Sequence, residues 1–117
     1  MAKMSQAVED YLKAIYQATE EDGRDATVQE LARRLGVSKP SVSNMVKRLG
    51  GLGLVEAEPA RGALLTRQGR VIALEVVRHH RLIEMFLVDA LGMSWDEIHT
   101  EADVLEHHIS EEVESRI

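Results

Sequence analysis

Four residues in the last fifth of this 117-residue chain have the types and spacing of a metal-binding helix face. His99, Asp103, Glu106 and His107 stand at i, i+4, i+7 and i+8, which at 100° per residue confines them to a sector of about 100°. Ile98, Ala102, Leu105 and Ile109 form a separate apolar stripe beside them. One helix would thus carry a core face and an adjoining ligand face. Upstream, His80 and Glu84 are four residues apart, on one face of another helical pattern. Packed together, the two helices would offer three imidazoles and three carboxylates, a donor set that suits first-row divalent ions. The bland reading of any one His–acid pair is a solvated polar face; six aligned groups on neighbouring helices argue for a metal. His79 and His108 fall off these faces. There is no cysteine, so thiolate ligands, catalytic thiols and disulfides are all excluded.

A second set of residues has the chemistry of DNA binding. Ser38, Ser41, Ser43 and Asn44 lie at the start of a helical pattern that follows a glycine-containing turn. In a helix-turn-helix these N-terminal positions face the major groove. Asn can bond adenine in a bidentate way, and Ser can serve bases or phosphates. Lys39, Pro40, Lys47 and Arg48 belong to the same helix, and Arg61 lies at the tip of a predicted hairpin; its basic members suit phosphates or the minor groove. Read singly, the serines are helix caps and the basic residues are solvated surface. The order helix, turn, basic helix, hairpin with Arg argues for DNA. No aromatic residues interleave the basic ones, which disfavours single-strand stacking.

The elements that would position these groups follow from periodicity and caps. A first helix is expected over about residues 6–21, with Val8, Tyr11, Leu12 and Ile15 inward. Thr27 with Glu30 has the form of a capping box and opens a short helix stopped by Gly36. A third helix starts near Pro40, where proline suits the first turn, and ends in the glycines at 50, 51 and 53. Residues 54–58 and 63–65 read as strands around a tip at 59–62. Thr66 caps a long helix over about 67–91, with Gly69 as an early interruption. Ser94 with Glu97 is another capping box, opening a helix to about Ile109. Ser110 caps a last one.

Composition fits this scheme. Apolar residues make up 44% and charged residues 29%, which suits a folded globular chain and excludes a disordered one. No apolar run reaches the roughly 18–20 residues of a membrane helix, and the first six residues carry no secretory-type segment. A cytoplasmic protein with no membrane partner is expected. The net charge of −6 is divided: residues 1–70 carry 11 basic and 9 acidic side chains, residues 71–117 carry 3 and 11, and all five histidines lie in the acidic part. A basic segment followed by an acidic, histidine-bearing one suggests two tasks.

Together these features resemble the diphtheria toxin repressor and manganese transport regulator family of metal-activated transcriptional repressors. The likeness is carried by Val8-Glu9-Asp10-Tyr11-Leu12 and Ile15-Tyr16, by Ser38-Lys39-Pro40-Ser41-Val42-Ser43, and by Gly53-Leu54-Val55. It continues through Leu65-Thr66-Arg67-Gln68-Gly69-Arg70, His80-Arg81-Leu82, Glu106-His107-His108 and Ser110-Glu111-Glu112-Val113-Glu114. It implies a mainly α fold with a small β-hairpin wing: a winged helix-turn-helix over residues 1–70, then a helical metal-binding and dimerisation domain over 71–117. It also implies a regulatory site of Asp10, Asp103, Glu106 and His107, and an ancillary site of His80, Glu84 and His99. Asp10 enters only through the resemblance, as does the implication that one ion held from both segments would tie them together. Lys13 stands where manganese regulators with a two-ion cluster carry a carboxylate, so two separate sites are expected. Iron-responsive relatives place Met and Cys at the positions of Asp10 and Asp103, where this chain has oxygen ligands. Many relatives continue with a further dimerisation helix and a small third domain, so this chain is expected to stop inside the dimerisation region.

The resulting expectation is a repressor of double-stranded operator DNA, acting as a homodimer with two Mn²⁺ or Fe²⁺ ions per chain, most plainly Mn²⁺-responsive control of metal homeostasis genes. Leu87, Val104 and Ile109 are expected to supply the dimer contact. The alternative is a winged-helix regulator that responds to Fe²⁺ or to no metal. A hydrolytic metalloenzyme is a poor third: there is no HExxH motif, no Ser/His/Asp order and little room for a small organic substrate.

Overall fold

In a computed structural model, residues 5–106 and 108–116 are described. The chain divides into two compact units, Met1–Leu74 and Glu75–Ile117, with the division inside the long helix.

The first unit begins with α1, Gln6–Tyr16, whose N-cap Ser5 accepts from the Val8 amide. Val8, Tyr11, Leu12 and Ile15 are buried along one face. The helix expected to run uniformly to residue 21 instead widens into a π-helical turn over Gln17–Glu21. There the Thr19 hydroxyl donates to the Ile15 carbonyl at 2.8 Å, and the Asp22 amide reaches back five residues to Gln17 at 2.9 Å. A side-chain hydroxyl competing for a ladder carbonyl is a known cause of such local loosening.

Helix α2 spans Val28–Leu35, capped by Thr27 on the Glu30 amide and ended by Gly36 at φ 66°. Helix α3 spans Lys39–Gly51; Ser38 accepts from the Ser41 amide, and Pro40 sits in the first turn. Strands β1, Val55–Glu58, and β2, Gly62–Leu65, pair antiparallel with Val55 opposite Leu65 and Glu58 opposite Gly62. The Arg61 amide closes the tip onto the Glu58 carbonyl at 3.1 Å. Ala26 adds a single bridge beside Gly62. The core of this unit includes Leu12, Ile15, Leu31, Val42, Leu49 and Ala63. At its surface, Glu30 pairs with Arg24, Arg33 and Arg34. Desolvation opposes its ionised form, but the two arginines of its own helix outweigh that and hold its carboxyl below the usual range.

Helix α4 runs Arg67–Leu91. Gly69 does not interrupt it. A Cβ at Gly69 would stand 2.0 Å from the Leu54 carbonyl oxygen, so the glycine admits the backbone of residue 54 against the first turn. Thr66 completes the joint: its hydroxyl donates to the Gly53 carbonyl at 2.7 Å and accepts from the Gly69 amide at 3.1 Å. Gly69→Ala is therefore expected to destabilise the protein by about 3 kcal/mol or more, because backbone rather than a flexible side chain must move. Gly51→Ala, with open space around the added carbon, should shift stability by less than about 1 kcal/mol. Denaturant midpoints of the two variants give the comparison.

In the second unit, α5 spans Trp95–Glu106 and α6 spans Glu111–Arg116. At the start of α5 the Ser94 hydroxyl donates to the Glu97 carboxylate at 2.7 Å and the Glu97 amide bonds the Ser94 carbonyl at 3.1 Å, in place of the side-chain-to-amide bonds of the expected capping box. Helix α5 is described to Glu106, where periodicity suggested Ile109, and the His108 and Ile109 amides both bond the Leu105 carbonyl. Ile83, Leu87, Ile98 and Ala102 make the core of this unit, with Leu105 and Ile109 packed on it. Leu87 is only 2% exposed and so is a core residue, not the dimer contact expected of it. Ile109 is half-buried against the same core, whereas Val104 is exposed, as are Met85, Phe86, Leu91 and Trp95.

Candidate functional site

Within the second unit, α4 and α5 bring five of the expected ligands together: His80 and Glu84 from α4, His99, Asp103 and Glu106 from α5. They form two groups of three, His80–Glu84–His99 and His80–Asp103–Glu106, each with ligand atoms within 4.8 Å of one another. His80 belongs to both. Its Nδ1 lies 3.0 Å from Glu106 Oε2 and 3.4 Å from Asp103 Oδ1, while its Nε2 lies 3.3 Å from Glu84 Oε1. His99 Nδ1 lies 3.2 Å from Glu84 Oε2, and its ring meets that of His80 edge-on at 5.3 Å between centroids.

Burial is graded across the site. His80 is 5% exposed and is the one buried polar side chain among the described residues. Glu84 and Glu106 are half-buried, and His99 and Asp103 are exposed. The helices thus hold one imidazole in the interior and leave the outer ligands open to solvent. His80 Nε2 is fully enclosed yet makes no hydrogen bond among the described residues; its approach to Glu84 lacks hydrogen-bond geometry. A buried ring nitrogen without a partner is costly. Beside carboxylate and imidazole donors with no sulfur, it fits a divalent cation of the Mn²⁺ or Fe²⁺ kind. Sequence spacing put these groups in one region, and the family resemblance divided them into two sites; neither reported that His80 faces both groups. His80 and Glu106 are 26 residues apart, and no local pattern reports which ring nitrogen faces which carboxylate.

The chain matches two protein-family descriptions end to end. Residues 3–63 match "Iron dependent repressor, N-terminal DNA binding domain", and residues 66–117 match "Iron dependent repressor, metal binding and dimerisation domain". It belongs to the iron-dependent repressor family. Within that family it is 41% identical over 117 residues to the iron-dependent repressor IdeR of Mycobacterium tuberculosis, covering 100% of this chain and 50% of IdeR. It is 40% identical over 111 residues to the transcriptional regulator MntR of Escherichia coli O157:H7, covering 95% and 70% of the two chains. A manganese-dependent transcriptional repressor solved with manganese superposes with a TM-score of 0.84 at 43% identity, over 93% of this chain and 50% of that one. The chain spans about half the length of the IdeR relatives it matches. Family members are transcriptional regulators, not enzymes, which removes the hydrolase reading. The winged-helix fold expected from sequence is that of the family.

Among the remaining expected ligands, Asp10 lies half-buried on α1 in the first unit, and His107 lies outside the described residues. On the DNA-binding half of this repressor fold, Ser38, Lys39, Pro40, Ser41, Ser43, Asn44, Lys47 and Arg48 are all exposed on or just before α3. The inward residues of that helix, Val42 and Leu49, are buried, so the polar face is turned to solvent. Ser38 has a capping role: besides accepting from the Ser41 amide, it donates to the Ser41 hydroxyl at 2.9 Å. Arg61, at the hairpin tip, is exposed and lies 3.8 Å from Asp25.

Proposed function

We propose that this chain is a metal-activated transcriptional repressor that binds double-stranded operator DNA as a homodimer in the cytoplasm, with Mn²⁺ as the activating ion. The observation that carries the metal half is the enclosed, unpartnered Nε2 of His80 amid Glu84, His99, Asp103 and Glu106. His80, Glu84 and His99 would hold one ion. Asp103 and Glu106 would hold a second, with Asp10 and His107 joining them on the strength of the family resemblance. Bound there, the ion supplies positive charge that offsets clustered carboxylates, and it can favour the DNA-competent conformer only through a higher affinity for it.

The ion preference rests on donor chemistry. Carboxylate and imidazole without sulfur favour Mn²⁺, with Fe²⁺ next. Zn²⁺ would bind tightly by the general affinity order, so selectivity is expected in activation rather than in raw affinity. Relatives named for iron and for manganese both occur, which keeps Fe²⁺ as the second reading. Calorimetric titration with each ion, followed by mobility shifts on a duplex selected from a random library with and without that ion, separates the two.

The DNA half rests on the exposed polar face of α3. A single recognition helix meets only about four base pairs, so a twofold dimer is needed to read an operator. Exposed Met85, Phe86, Leu91, Trp95 and Val104 offer an apolar surface for a second copy. Asn44→Ala is expected to cost about 1–3 kcal/mol on the selected duplex and to relax preference at one base pair. Lys47→Ala or Arg61→Ala should weaken all sequences alike and reduce the salt slope. Equal losses on selected and random DNA for Asn44→Ala would remove it from base reading.

A further inference from the structure

Each nitrogen of a neutral imidazole has one role: one carries the proton and donates, the other keeps a lone pair and accepts or ligates. In His80 the surroundings distinguish them. Nδ1 is in hydrogen-bond geometry with Glu106 Oε2 at 3.0 Å. A carboxylate oxygen only accepts, so this hydrogen bond requires the proton on Nδ1. Nε2, enclosed and outside hydrogen-bond geometry although 3.3 Å from Glu84 Oε1, would then present a lone pair toward Glu84. His99, in turn, reaches Glu84 from α5.

We propose that Glu106 is a positioning residue for the His80–Glu84–His99 site, in addition to serving as a ligand in its own group. By accepting the Nδ1 proton it would hold the His80 ring in one tautomer and one orientation, with Nε2 ready to ligate. Carboxylate–imidazole–metal chains of this form orient the ring and raise its basicity as a ligand, and loss of the outer partner typically costs about 10–100-fold in metal affinity. The two ligand groups are then coupled through one hydrogen bond. Asp103, at 3.4 Å from the same nitrogen and exposed on the outer turn, is the weaker partner of Nδ1. This inference rests on the metal reading above and adds to it a link between the two groups.

The test uses Mn²⁺ alone as the probe and the 117-residue chain. Titration calorimetry of the unmodified chain should show two binding steps, and Glu84→Ala identifies which step belongs to His80–Glu84–His99. Glu106→Ala should weaken that step by about 10–100-fold, although Glu106 is no ligand there. Glu106→Gln keeps an amide oxygen to accept from Nδ1 and should restore that step to within a few-fold, while its own group stays impaired. In the metal-free chain, nitrogen-15 correlation spectra should show His80 with its proton on Nδ1. An unchanged His80–Glu84–His99 step in Glu106→Ala would overturn the proposal, as would failure of Glu106→Gln to rescue it or a proton found on Nε2. No Mn²⁺ bound by the unmodified chain would overturn the metal reading itself, and the inference with it.

Discussion

His80→Ala is expected to eliminate the Mn²⁺ binding step of the His80–Glu84–His99 group and to disturb the Asp103–Glu106 step only through the lost contact with Glu106. No other residue among those described belongs to both ligand groups. Without its ring, the first group keeps only Glu84 and His99, short of its buried imidazole, while Asp103 and Glu106 keep their carboxylates and lose only the hydrogen bond of Glu106 to Nδ1. The loss at the His80–Glu84–His99 step should exceed the roughly 10–100-fold that removal of an outer-shell partner costs. Glu84→Ala should remove the same step, since among the described residues Glu84 belongs to the His80–Glu84–His99 group alone. Because His80 is buried, its replacement also leaves a cavity. Circular dichroism and a melting curve on the metal-free variant distinguish a folded chain that binds no metal from an unfolded one. A folded His80→Ala chain that still bound two ions with unchanged affinity would show that the site is not where these five side chains converge.

Chelation should lower operator affinity on the order of 100-fold, and Mn²⁺ in excess of the chelator should restore it. A factor of that size requires the ion to prefer the DNA-competent conformer by about 2.7 kcal/mol, within the ordinary range of coupling between two sites. Asp10→Ala should reproduce the chelated state in the presence of Mn²⁺ while leaving the His80–Glu84–His99 step intact, as expected of a regulatory ligand supplied by α1. Mobility shifts on one selected duplex at fixed salt, with each protein tested with and without Mn²⁺, provide the measurement. Fixed salt matters, because phosphate contacts make the baseline affinity strongly ionic-strength dependent. If Asp10→Ala kept an unchanged Mn²⁺ response, the family's regulatory ligand would not carry over to this position. If chelation left operator binding unchanged in the parent protein, the metal-independent regulator would replace the reading proposed above.

Much of the architecture was legible from local sequence because its signals act over three or four residues. Thr27, Ser38 and Ser110 each accept from the amide three residues ahead. Long helix α4 has the limits its pattern suggested. The ligand face of α5 was readable for the same reason: a helix converts spacing into direction.

Interactions between segments distant in sequence were not legible. Gly69 looked like a helix interruption, because nothing nearby in sequence says that the Leu54 carbonyl arrives within 2.0 Å of where a Cβ would stand. Leu87 looked like an interface residue until the packing of α4 on α5 enclosed it with Ile83, Ile98 and Ala102. The π-helical turn after α1 accompanies a Thr19 hydroxyl bonded to the Ile15 carbonyl, which no spacing reports. The sequence by itself determined which residues can ligate a metal and which faces carry them. Only the tertiary structure decided that a single buried imidazole stands between two ligand groups with a different nitrogen toward each, because ring orientation is set by packing and by a partner 26 residues away.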